Sequence, residues 1–168
     1  MKKIMFKDKY GLTEAVLAGI KTMTRRIVPD GTTLGNWEET EKISRFKPGE
    51  VVAVAQSYED AGYNPLAASH LSGWANKMFV KANLMPHRIR ITNVRVERMQ
   101  DISDEDCIRE GIVKALGLYG CEGLCERGDQ LYFNTPRTAF AALIDRISGK
   151  GTWEKNPLVF VYEFELLE

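Results

Sequence analysis

The stretch Gly19 to Arg26, GIKTMTRR, brings together Lys21, Arg25 and Arg26 with the hydroxyls of Thr22 and Thr24, and it holds no acid. A lysine three residues before a threonine is, in outline, a nucleophile with its base. The pair works only if both side chains share a face. A turn or a last helical coil achieves that, whereas an extended strand sends Lys21 and Thr24 to opposite faces. Lys21 must also be neutral part of the time, which burial or the adjacent cations Arg25 and Arg26 would promote. The competing reading is a solvated helix end, because Lys and Arg there complement the helix dipole.

Glu110 stands three residues after Cys107, at the edge of the apolar stripe Cys107, Ile108, Gly111, Ile112. A carboxylate in that place faces a cleft or faces water. Tyr58, Tyr63 and Trp74 lie in a long Gly- and Pro-punctuated stretch, where they would stack on a base or pin the loop. His70 and His87 read as surface or hydrogen-bonded structural residues. Cys121 and Cys125 are spaced C-x3-C, with Cys107 upstream. A zinc site would want a fourth ligand at a matching spacing, so reduced thiols are the expectation.

The elements that must position these residues follow from pattern. Leu12 to Ala18 reads as a short helix stopped by Gly19. Residues 29 to 49 read as polar loop. Pro48-Gly49 turns the chain into a strand over Val51 to Ala55, and Met78 to Ala82 reads as another. Residues 59 to 77 read as a long loop with a helical turn near LAASHL. Arg88 to Met99 is the clearest strand. Its apolar parity flips at Thr92-Asn93, which predicts a β-bulge or bend there. Ser103 caps a helix whose first turn is acidic and which runs to about Ile112. Thr135-Pro136 starts an amphipathic helix ended by Gly149 and Gly151. Leu158 to Leu167 is a last strand, and Phe160, Tyr162, Phe164 and Leu166 share one of its faces.

The chain has 168 residues, enough to bury a core in one domain. Its 23 basic and 23 acidic residues cancel. That argues against bulk non-specific binding to DNA and leaves room for a local basic pocket. No apolar run approaches membrane-spanning length, and MKKIMFKDKYG does not read as a signal peptide. A cytoplasmic protein without membrane partners is the expectation. Several strands, few helices and a bent strand suggest an α+β fold built on a small, closed or nearly closed β-barrel with flanking helices. A regular βαβ sheet fits less well.

GIKTMTRR also resembles the signature of ASCH domains, a branch of the PUA-like β-barrels, which runs Gly-x-Lys-x-x-(Thr or Glu)-x-Arg. Gly19, Lys21, Thr24 and Arg26 fill it. The likeness continues through FKPGEVVAV (residues 46 to 54) and ITNVRVERMQDISDEDCIREGI (91 to 112), and it ends with NPLVFVYEFELL (156 to 167). These blocks lie in the family's order and reach from end to end. They leave two loop insertions uncovered, near 59–87 and 113–134. The form is similar to the longer, phage-associated ASCH proteins. A smaller bacterial branch, similar in the same blocks, hydrolyses N4-acetylcytidine with a lysine, a threonine and a glutamate.

Carried over by that resemblance, the catalytic residues are Lys21, Thr24 and Glu110. It implies an amidohydrolase of an N4-acylated cytidine-like nucleoside or related modified base, with no cofactor and no metal. Candidate ligand contacts are Arg25, Arg26, Gln56, Tyr58 and Trp74. The longer members often carry Arg-Glu and then Trp after the second block; this chain has Ala55-Gln56 and then Tyr58. If that acid serves the longer members, it is missing here. The alternative is an RNA- or nucleotide-binding module without catalysis, gripping phosphate with the cations of GIKTMTRR. An interaction subunit of a mobile element is a third reading, with no residue of its own to support it.

Overall fold

The computed structural model describes residues 1–33, 35–124 and 133–167. The backbone alone is described at positions 37 and 41. Cys125, half of the C-x3-C pair, lies outside the described residues, as does part of the second insertion. The class is mixed α+β. Five strands form the main sheet: β1 (Lys3–Ile4), β2 (Met23–Ile27), β3 (Val51–Val54), β4 (Arg88–Arg98) and β7 (Leu158–Leu167). Their order is β1-β3-β4-β7-β2, with β1 parallel to β3 and the other neighbours antiparallel. A hairpin of β5 (Val113–Ala115) and β6 (Leu118–Gly120) stands apart in the second insertion. The helices are α1 (Leu12–Leu17), α2 (Trp37–Ile43), α3 (Pro65–Ala68), α4 (Asp104–Arg109), α5 (Pro136–Ser148) and α6 (Thr152–Lys155).

The β4–β7 ladder is the spine. Ile91 pairs with Phe164, and Asn93 already pairs with Glu163, so Thr92 is the extra residue of a bulge. This is where the parity flip puts it. The bulge lets Ile89 and Ile91 on one parity and Val94 on the other all be buried. In β7, Val159 to Tyr162 are buried on both faces, and exposure appears only toward the end of the strand.

Among the described residues no ladder joins β1 to β2, so the sheet does not close into a barrel. Its edges nevertheless come near each other. Arg26 of β2 donates to the Met5 carbonyl, just past β1, at 2.7 Å. One arginine side chain spans the opening that a barrel would seal with backbone bonds.

Three local readings are corrected. Residues 29–49 contain α2 rather than loop alone. Met78 to Ala82 is not a strand: the segment makes tight helical turns at Lys77–Phe79 and Ala82–Leu84. There Asn76 caps the first turn by accepting from the Met78 N–H, and local capping wins over the β-branched and aromatic content. Finally, α4 ends at Arg109, earlier than Ile112. Gly111 follows with φ +108°, where a Cβ would also meet the Leu12 side chain at 3.0 Å.

The first insertion builds its own small core. Tyr58, Val80 and Met85 bury against Ala53 and Ala55, with Tyr63 and Trp74 packed around them. The main core lies between the sheet and α1, α4 and α5. Among the described residues no helix is long and apolar enough to cross a membrane.

Candidate functional site

The site begins with two helix ends. After α1 the chain reverses at Gly19, where φ is +71°, and the Ile20 and Lys21 amides both return to the Ala15 carbonyl at 2.9 Å. The chain then docks on the end of α4, where the Thr22 amide donates to the Arg109 carbonyl at 2.9 Å. α4 is set at its start by Ser103, whose hydroxyl accepts from the Asp106 amide at 3.1 Å. Its early stop leaves the Glu110 carbonyl without a helical partner. Lys21 takes that place.

The Lys21 Nζ donates to the Glu110 carbonyl at 2.6 Å and to Glu110 Oε2 at 2.7 Å. Lys21 is 2% exposed and Glu110 is 4% exposed. Burial pushes the Lys21 ammonium below its usual range; Glu110 pulls it back up, and Arg26 and Arg25 press it further down. The Phe6 ring lies beneath the amine, 5.8 Å from nitrogen to centroid.

The second oxygen of Glu110 is held by Arg25, whose Nη1 donates to Oε1 at 3.1 Å. Arg25 also binds Glu97, and it reaches Asp106 Oδ2 at 3.1 Å. Arg95 ties Asp106 at 2.7 Å and Glu97 at 3.1 Å, and it also contacts Glu163. Arg109 closes the far side on Glu163 at 2.9 Å. The result is a network in which Lys21, Arg25, Arg95 and Arg109 balance Glu97, Asp106, Glu110 and Glu163. Arg25 was expected to touch ligand. Its side chain has no exposed surface, and only its Nε lacks a partner among the described residues. Its observed contacts position Glu110, and it stands among the residues lining the cleft.

Thr24 is the second residue of β2 and lines a cleft of about 540 Å³ together with Lys21, Glu110, Arg25 and Arg26. Its hydroxyl has no hydrogen-bond partner among the described residues, and it is not sealed from the cleft. Leu12, Met99, Phe140, Leu143, Ile144 and Ile147 form apolar wall, and Asn76 and Lys77 of the first insertion form the rim. Arg26 stands at the mouth. A second concavity of about 330 Å³ lies beyond it, sharing Met5, Arg26 and Ile27 with the cleft.

GIKTMTRR therefore delivers its lysine, its threonine and both arginines to one place, with Glu110 from another element. The other expected contacts lie elsewhere. Tyr58 is buried in the small core, its hydroxyl accepting from the Lys81 amide at 3.2 Å, and Trp74 packs on the same cluster. Neither lines the cleft, so neither is placed to stack on a base there. Gln56 faces a different cavity, beside α1. The sequence reading missed Glu97, Asp106, Arg95 and Glu163 as a network. The alternating charges of RVER on β4 were the available signal. Nothing in the pattern marked Phe6 or the α5 wall as cleft. Among the described residues no three of His, Cys, Asp and Glu are grouped to hold a metal ion.

No family model matches the chain, and no curated protein matches it. A solved structure does. Protein EF3133 from Enterococcus faecalis V583, assigned to the family DUF984, superposes with a TM-score of 0.50 at 16% identity, covering 99% of this chain and 80% of that one. At that identity the likeness speaks for the fold.

Proposed function

We propose that this protein is an amidohydrolase of an N4-acylated cytidine-like nucleoside or a related modified base. The observation that carries the reading is an unbonded threonine hydroxyl, Thr24, opening on the same cleft as a buried lysine, Lys21, that Glu110 grips by two oxygens. The resemblance of the four sequence blocks to ASCH domains supports it. So does Arg26, whose side chain reaches from β2 to the Met5 carbonyl just past β1, near where a PUA-like barrel would close its sheet.

Neutral Lys21 takes the Thr24 hydroxyl proton as the oxygen attacks the acyl carbonyl. The oxyanion that forms is met by the guanidinium of Arg26, which keeps donors free at the cleft mouth. Collapse breaks the carbon–nitrogen bond. Lys21 returns the proton to the departing amine, leaving free cytidine-like base and an ester on Thr24. Water, giving its proton to Lys21, then cleaves the ester to a carboxylic acid and restores the hydroxyl. Glu110 holds the lysine on target through both transfers.

The experiment is turnover of N4-acetylcytidine by the wild type, Lys21→Ala and Thr24→Ala. The expected result is hydrolysis that falls by at least ~100-fold in each variant, as loss of a base or nucleophile does, with circular dichroism unchanged. Turnover retained in Thr24→Ala would overturn the reading.

A specific observation favours a second reading, a nucleotide- or RNA-binding module. The concavity beyond Arg26 is lined by Lys3, Arg26 and Arg45 beside Phe46, and among the described residues no acid lines it. That is a setting for phosphate next to a ring. On this reading a nucleotide binds with strong salt dependence, is not cleaved, and loses affinity most in Arg26→Ala.

A further inference from the structure

Arg26 and Arg45 both line the concavity of about 330 Å³ that adjoins the cleft, and neither forms an ion pair among the described residues. Both residues are exposed. Each is nevertheless held in place. Arg26 donates to the Met5 carbonyl at 2.7 Å. Arg45 follows α2, where its amide donates to the Tyr162 hydroxyl at 3.1 Å and its carbonyl accepts from Lys2 at 2.6 Å. Its guanidinium lies 5.3 Å from the centre of the Phe46 ring, within cation–π range. The two cations are close enough that Arg45 presses on the charge of Arg26. Ordered like charges, in a space that no acid lines among the described residues, favour an anion there.

The kind of anion follows from what is left over. Lys3 lines the same space, but its amine is spent on the Met78 and Val80 carbonyls at 2.6 and 2.8 Å. Two accessible guanidiniums remain. A guanidinium fork matches two oxygens of one phosphate, and a pair of them suits a monoester dianion. A long RNA strand would want a row of cations instead. Met5, Ile27 and Ile43 surround the arginines with partly exposed apolar side chains. They thin the water around the charges and so strengthen the attraction. Thr24 and Arg26 are alternate residues of β2, so their side chains share a face about 6.5 Å apart. A ribose spans a comparable gap. An acylated base held at Thr24 thus directs its 5′ side toward the arginine pair.

We infer that the substrate is a nucleoside 5′-monophosphate, its phosphate held in this concavity by Arg45 with the charge of Arg26 beside it. This deepens the hydrolase reading, on which it rests, from nucleoside to nucleotide. Arg45 is the phosphate ligand proper, because Arg26 also faces the acyl oxygen.

The test compares hydrolysis of N4-acetylcytidine 5′-monophosphate and of N4-acetylcytidine by the wild type, Arg45→Ala and Arg45→Glu. Arg45→Ala removes only an exposed side chain and leaves the main-chain bonds to Tyr162 and Lys2, so the fold is kept. The expected result is a KM lower by about tenfold or more for the monophosphate, the size of a charged hydrogen bond that binds substrate without entering the chemistry. That preference should shrink with added potassium chloride, vanish in Arg45→Ala and invert in Arg45→Glu. Equal kcat/KM for the two substrates would overturn the inference and leave the hydrolase reading standing. So would a preference that survives in both variants, or faster hydrolysis of an oligonucleotide carrying an internal N4-acetylcytidine than of the monophosphate. Hydrolysis of neither small substrate would remove the hydrolase reading and this substrate with it. Calorimetric binding of cytidine 5′-monophosphate that still depended on Arg45 would then assign the concavity to the binding-module reading.

Discussion

At the residue scale the account turns on the protonation of one lysine. A surface lysine stays charged near neutrality and cannot accept the proton of a threonine hydroxyl. Lys21 is buried and flanked by Arg25 and Arg26, and these push its pKa down, while Glu110 opposes them. Its neutral form is the active one, so the sign follows directly. kcat/KM for N4-acetylcytidine should rise with pH as Lys21 loses its proton. It should level off with a midpoint below the ordinary lysine value of 10.5. Lys21→Arg, permanently charged, should show no such limb. A profile that is flat or falls over the same interval would remove Lys21 as the base. Cys107 of α4 gives a contrast. Burial, with Asp104 adding to it, drives its thiol up to about 12, so it is an apolar core residue rather than a nucleophile.

At the element scale the site is an agreement between ends. α1 ends at Leu17, α4 ends at Arg109, and β2 starts at Met23. Arg25 links β2 to β4 through Glu97 and to α4 through Asp106 and Glu110. Removing a buried partner strands the opposite charges, which typically costs about 3–5 kcal/mol. Arg25→Met should therefore lower stability by that order in urea denaturation and take activity with it. A variant that loses activity at unchanged stability would instead give Arg25 a direct role on substrate. Much of this scale was legible. The bulge at Thr92 followed from parity, the α4 cap from Ser103, and the last strand from alternation in LVFVYEFELL. What could not be read was the partner of each charge. Arg25 and Asp106 lie far apart in the chain, and they meet because β7 pairs with both β2 and β4, which leads into α4. The pattern leaves Glu110 facing either a cleft or water, because its burial depends on Lys21 arriving from another element. Tyr58 looked like a loop aromatic because local pattern does not show that the first insertion packs back over β3.

At the scale of the whole molecule, zero net charge conceals a sorted surface. A basic concavity with Lys3, Arg26 and Arg45 lies on one side of the cleft, and an acidic cavity with Glu14, Asp60 and Glu122 lies on the other. Arg26 spans the open edge of the sheet, which leaves the cleft and the basic concavity joined at its side chain. That arrangement suits a base in the cleft with its sugar or phosphate directed toward the cations. The central claim is that Thr24 carries the acyl group between its two owners. The most direct measurement is intact and peptide mass spectrometry of the protein, acid-quenched within the first turnover of N4-acetylcytidine. The account predicts one added acetyl group on the peptide holding Thr24, absent from Thr24→Ala and gone once substrate is exhausted. Turnover with no acylated protein at any quench time, or with the acetyl group on Lys21, would contradict it.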